Sequence, residues 1–128
     1  MLKKVTPFTR EILITVFLIF LLTVLCVQKI NKLSVLAQNS ISQKNEQMIR
    51  DAIAVYRGDN EGRCPMRLAE LKGNYLENLP ENYTKGVPSN IAIEGNSYRE
   101  IFDGTGGWLY INNYKDKDYC EVFRNTKK

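Results

Sequence analysis

Apolar residues fall in two regimes along this chain. Ile12 to Val27 is a run of sixteen residues without charge, amide or glycine. Carried through Gln28 and Lys29 to Ile30 it reaches nineteen residues. At about 1.5 Å per residue that is about 28 Å of helix, enough to cross the hydrocarbon of a bilayer, with Lys29 snorkelling to the far interface. Beyond it, Leu33, Leu36, Ala37, Ile41, Met48, Ile49, Ala52, Ile53 and Tyr56 recur mostly at steps of three and four. This is one helical stripe, thin between Gln43 and Gln47. No glycine or proline interrupts Phe8 to Arg57. The pattern predicts a single helix of about 50 residues, about 75 Å long, apolar all round in its first half and amphipathic in its second. Gly58 is the expected stop, followed by the turn Asp59-Asn60-Glu61-Gly62.

After Gly58 the period changes. Arg67 to Lys72 predicts a short helix, and Tyr75-Leu76 with Leu79-Pro80 a loop. Ile91-Ala92-Ile93, Trp108 to Ile111 and Tyr119 to Phe123 predict strands. The second is introduced by a glycine-rich turn, Gly104 to Gly107, and Lys115 to Asp118 forms the turn before the third. A small antiparallel sheet laid on the second half of the long helix would bury both apolar faces. The expected fold class is α+β: a long N-terminal helix packed on a small C-terminal antiparallel sheet. Three regions follow: residues 1–7, a cytoplasmic leader-like segment; 8–30, the membrane half of the helix; 31–128, the globular domain.

Charge sharpens this division. The first 32 of the 128 residues hold five Lys/Arg (Lys3, Lys4, Arg10, Lys29, Lys32) and one acid, Glu11, a net +4. The remaining 96 hold 13 basic and 13 acidic residues, a net of zero. The excess charge therefore flanks the apolar run, and sequence-independent nucleic-acid binding loses its main support. The lysines and arginine before the run favour an N-terminus on the cytoplasmic side. The two lysines and long spacing before Val35-Leu36-Ala37 favour a retained anchor over a cleaved signal peptide. Glu11 abuts the run and has two readings: an interfacial carboxylate paired with Arg10 or Lys4, or one held near hydrocarbon for a specific partner charge.

Catalytic chemistry is sparse. The chain has no histidine, which excludes a Ser-His-Asp triad, a Cys-His dyad and His-ligated metal. Asp103-Gly104-Thr105-Gly106-Gly107 lacks the Lys-Ser/Thr of a phosphate loop and precedes a strand. Asp116 and Asp118 lack the twelve-residue loop and closing glutamate of a calcium site. Asn82-Tyr83-Thr84 matches a glycosylation sequon. No enzyme activity, cofactor or metal is expected. Cys64 and Cys120 would form a disulfide if the domain is exported, or remain buried thiols if it is not.

Phe8-Thr9-Arg10-Glu11 before an apolar run resembles the start of type IV pilins and type II secretion pseudopilins. Ile49 to Tyr56, then Asp59-Asn60 and Gly62-Arg63-Cys64-Pro65, resembles the end of their long helix and the loop after it. Leu68-Ala69-Glu70-Leu71 with Tyr75 to Pro80 resembles their next segment. Gly106-Gly107-Trp108-Leu109-Tyr110 and Cys120-Glu121-Val122 resemble their terminal hairpin. The order is kept over nearly the whole chain, and the pseudopilin branch is the nearer one. Pro7 stands where the family has a glycine before the cleavage point, and Glu11 follows Phe8 by three positions where the family glutamate follows by four.

The resemblance implies a non-enzymatic subunit of a pilus-like filament, a pseudopilus or type IV pilus, serving protein secretion, DNA uptake or pilus assembly. It implies an inner-membrane protein of bacteria with an exported C-terminal domain, partnered by other pilin-like subunits, an assembly platform and an assembly ATPase. It places a candidate prepilin peptidase junction between Pro7 and Phe8 and gives Glu11 the role of subunit assembly. The alternative expectation is a single-pass anchored protein whose exported domain binds a partner as a monomer.

Overall fold

The computed structural model of this chain describes residues 6–127. Its first element, α1, runs Pro7–Asp59. The start is set by Thr6-Pro7. The Thr6 carbonyl accepts the backbone N–H of Thr9 at 3.0 Å and of Arg10 at 3.3 Å, while proline at the first helical position forfeits a donor that has no partner anyway. The end differs from expectation: Gly58 lies inside the helix. Glu61 takes a left-handed conformation at φ 56°, and the N–H of Gly62 reaches back to Arg57 O at 2.8 Å, closing the last turn as a Schellman-type cap. Asn60 strengthens it by donating Nδ2 to Tyr56 O at 2.8 Å.

The chain divides into two compact units, residues 1–36 and 37–128. The described part of the first is helix alone, exposed at every position from Pro7 to Leu36. In the second, α1 buries Ser42, Ile49, Ala52 and Ile53. Just before the stretch where the apolar stripe thins, a polar residue faces inward: Ser42 Oγ accepts the N–H of Tyr83 at 2.9 Å. Ile41 and Met48, counted with the stripe in the sequence, are exposed.

The strands of this unit form two sheets. β1 (Asn82–Thr84) and β2 (Val87–Ser89) make an antiparallel hairpin that periodicity did not predict, because three-residue strands are too short to show a period. β3 (Ala92–Gly95), β4 (Thr105–Ile111) and β5 (Val122–Thr126) form a second sheet in the order β3–β4–β5. This sheet is mixed: β3 pairs parallel with β4, and β4 antiparallel with β5. A short helix, α2 (Tyr98–Ile101), supplies the crossover that a parallel pair requires. The Thr105-Gly106-Gly107 segment, expected as a turn, opens β4 through an irregularity between Thr105 and Trp108. The predicted helix at 67–72 is a single 3-10 turn, Leu68–Leu71.

Long helix and small sheet together make the α+β arrangement expected from the pattern. The core joins Ile49, Ala52 and Ile53 of α1 to Leu68, Leu71, Leu76, Trp108, Tyr110 and Val122. The two largest buried rings keep their polar atoms satisfied. Trp108 Nε1 donates to Pro80 O at 2.6 Å and Tyr110 Oη to Pro65 O at 2.7 Å.

Candidate functional site

Among the described residues one helix, α1, is long and apolar enough to cross a membrane, by length and composition. From Ile12 to Val27 its large apolar side chains are 40–63% exposed. An exposed apolar surface of this length is unstable in water and marks a lipid or protein contact. Two threonines inside the run hide their hydroxyls in the backbone. Thr15 Oγ1 donates to Glu11 O at 2.9 Å and Thr23 Oγ1 to Phe20 O at 2.7 Å. The run therefore presents an apolar surface even at its polar residues.

The residues singled out from the sequence lie at its N-terminal edge. Pro7 is the first helical residue, so the Pro7–Phe8 bond sits within the first turn of α1. Phe8 is 69% exposed. Glu11 is exposed, one turn further in, and forms no ion pair among the described residues. Of its two candidate partners, Arg10 makes no ion pair with it among the described residues, and Lys4 lies outside those residues, as does most of the leader-like segment 1–7.

Cys64 and Cys120 are joined in a disulfide, Cα atoms 5.8 Å apart. It ties the loop after α1 to the turn before β5, not to a strand as expected, because β5 begins at Val122. Cys120 sits at φ 71°, in the left-handed region. Its N–H bonds Ile111 O at 2.8 Å, and the N–H of Ile111 bonds Glu121 O at 3.1 Å. Two residues thus face one, a β-bulge whose left-handed position is ordinarily glycine. The bridge has reinforcement: Tyr110 Oη reaches Pro65, and Asn112 Nδ2 donates to Met66 O at 3.1 Å. Cys26, inside the apolar run, is free.

A charged cluster missed in the sequence fastens α1 to β5. Arg50 bonds Glu46 at 3.0 Å, pairs with Glu121, and donates to Val122 O at 2.7 Å. Arg124 pairs with Glu46 at 3.2 Å and donates to Asn39 Oδ1 at 2.6 Å. Burial pulls the Arg50 guanidinium down. The Glu46 hydrogen bond and the Glu121 and Glu46 charges outweigh it, so the group is held above its ordinary value. Glu46 and Arg50, four apart on a helix, were the available signal. Asn82 of the sequon is fully buried and donates Nδ2 to Gly107 O at 2.7 Å, so the folded domain offers no acceptor there. Asp103 caps a turn with Thr105 and Asn125, and these hydrogen bonds, Thr105 N–H first, hold its carboxyl below the usual carboxylate range. Among the described residues no group of three or more acidic or cysteine side chains is placed to hold a metal.

Fold and site together define a class: an α+β domain carried on a helix suited to anchor it in a membrane. Comparison with protein-family models, curated proteins and solved structures finds no match to this chain.

Proposed function

We propose that this chain is a structural subunit of a pilus-like filament, held before assembly in the cytoplasmic membrane with residues 31–128 exported. One observation carries the reading. A single helix is exposed on every side from Pro7 to Leu36, then buries one stripe in a small α+β domain within residues 37–128. A helix of this kind leaves lipid only if another apolar surface covers it. Copies of the same helix can do so, bundling with the small domains outside. Drawing the subunit out is the work of an assembly ATPase and platform. The disulfide supports export, since oxidising compartments retain such bridges.

In such a bundle Glu11 is a carboxylate among apolar side chains. Burying it unpaired is costly, so it takes a cation. Cleavage of the Pro7–Phe8 bond by a prepilin peptidase would supply one, the freed amine of a neighbouring subunit. Because that bond lies in a helical turn, cleavage requires the first turn to unwind. Glu11→Leu is expected to leave membrane insertion intact, since removing a charge eases insertion, and to abolish assembly through loss of subunit register. Membrane fractionation and filament yield from complemented cells measure the two separately. Wild-type filament yield from Glu11→Leu would contradict the assembly role of Glu11.

A further inference from the structure

Two elements of the unit 37–128 run back along α1 toward the point where the chain enters it. In the β1–β2 hairpin, Glu81 O accepts Asn45 Nδ2 at 2.7 Å, and the Tyr83 N–H reaches Ser42 Oγ at 2.9 Å. A β-carbon at Gly86 would stand 3.9 Å from Gln38 Oε1. As the hairpin advances from 81 to 86, its contacts on α1 retreat from 45 to 38. β5 runs the same way: Arg50 holds Val122 O, and two residues on Arg124 bonds Glu46 and Asn39. The hairpin tip and the residues after Arg124 therefore lie at the end of the unit that contains Gln38.

That end is tethered close to the apolar run. Ala37 follows Ile30 by seven positions. A fully extended chain would separate them by at most about 25 Å, and a helix by about 10 Å. The bound is covalent and holds at any angle between the two units.

The charge at this end is basic. Lys85 and Lys127 are exposed and form no ion pair among the described residues. Lys85 and Gly86 form a two-residue hairpin loop with φ 50° and 82°, a turn that favours asparagine at its first position. A lysine thus sits where its backbone is strained and no acid of the domain holds it. The stem of Lys127 lies across Gly104, where a β-carbon would collide with it. Asp103, the acid beside them, already accepts Thr105 N–H, Thr105 Oγ1 and Asn125 Nδ2. In the chain leading here no acid occurs between Glu11 and Glu46, while Lys29 and Lys32 do. Val87, next to the loop, is 65% exposed, so the tip offers a cation beside an apolar side chain, as a headgroup layer accepts.

We propose that this end of the domain docks on anionic lipid headgroups of the membrane that holds α1, with Lys85 and Lys127 on their phosphates, a contact that needs the anchor but not polymerisation. Ammonium groups bind phosphate as point charges, and a lysine held near an anionic surface gains about fivefold in affinity.

The test places the full chain, one copy per disc, in nanodiscs of phosphatidylcholine with and without phosphatidylglycerol. A trace of lipid with a gadolinium headgroup broadens amide signals near the surface, and NMR reads the docked-to-free ratio at Gly86. At low salt the anionic discs are expected to raise that ratio about twenty-five-fold, about fivefold for each lysine. Salt at about 0.5 M, where the screening length is about 4 Å, should erase most of the gain. Lys85→Asn removes the charge while tolerating the left-handed turn, and should lower the ratio about fivefold, as should Lys127→Gln. Equal broadening in the two lipids, insensitivity to salt, or wild-type docking by Lys85→Asn overturns the proposal. So does Gly86 broadening found only in discs loaded with two copies, which would assign the surface to a second subunit. Co-elution with the disc reads the anchor separately, and a chain that stays outside the disc overturns anchor and docking together.

Discussion

At the residue scale, the clearest conflict between conformation and side chain is at Cys120. A left-handed backbone costs a non-glycine residue about 1–2 kcal/mol, and here the disulfide holds it in place. The bridge spans 56 positions of sequence, and closing so long a loop contributes about 4 kcal/mol, a model-dependent figure. Cys64→Ser is expected to lose most of that. Adding Cys120→Gly should return about 1 kcal/mol, because glycine accepts the bulge geometry without a tether. Thermal melts of both variants measure this, and a double variant less stable than Cys64→Ser would refute the strained-bulge explanation. The cysteines were legible as candidates in the sequence. The bulge was not, since only glycine announces a left-handed position and the chain has cysteine there.

Tyr110 carries a second residue-scale prediction. Burial, with nearby charges in support, pushes its phenol well above its ordinary value, and its proton is engaged by Pro65 O. In the unfolded chain the phenol titrates near 10, about its unperturbed value. The folded state therefore binds more protons above that pH. The stability this gives is fully present below about pH 10 and is lost as pH rises further. Tyr56 and Tyr75, also raised, act in the same direction. The melting temperature should fall above about pH 10, and Tyr110→Phe should reduce the slope while costing about 1 kcal/mol at neutral pH. An unaltered slope in Tyr110→Phe would show that another group controls the alkaline limb.

At the scale of elements, α1 was legible because its signals agree: no breaker over fifty positions, an apolar run, then a three-four stripe. The short strands were less legible. β1 and β2 hold only three residues each, and the parallel β3–β4 pairing depends on α2, a single turn without a distinct pattern. Just before the stripe thins, hydropathy could not show that Ser42 is an inward position, because its contribution is a hydrogen bond and not apolar area. Ser42→Ala is expected to strand the buried-side N–H of Tyr83 and cost about 1–3 kcal/mol. Chemical denaturation measures this, and a loss under half a kcal/mol, within the range of ordinary surface substitutions, would place the support of the β1–β2 hairpin elsewhere.

At the scale of the whole molecule, one unit satisfies its own apolar groups and the other does not. Within residues 37–128 the rings and aliphatic side chains of α1 and the sheet close a common core. Ile12 to Val27 has no such cover among the described residues, and an apolar surface of this length needs one. Bilayer and filament both meet the requirement, but they leave different neighbours around the helix. On the proposed function the helix would meet acyl chains in lipid before assembly and copies of itself on several sides in the filament. Leu18, 54% exposed in the middle of the run, reports directly on which neighbours are present. A photo-crosslinking side chain placed at Leu18, irradiated in cells that carry the native assembly machinery, is the most direct measurement of self-association. The account predicts a ladder of crosslinked products from dimer upward. Illumination yielding only monomer and lipid adducts would contradict a filament subunit and leave an anchored monomer.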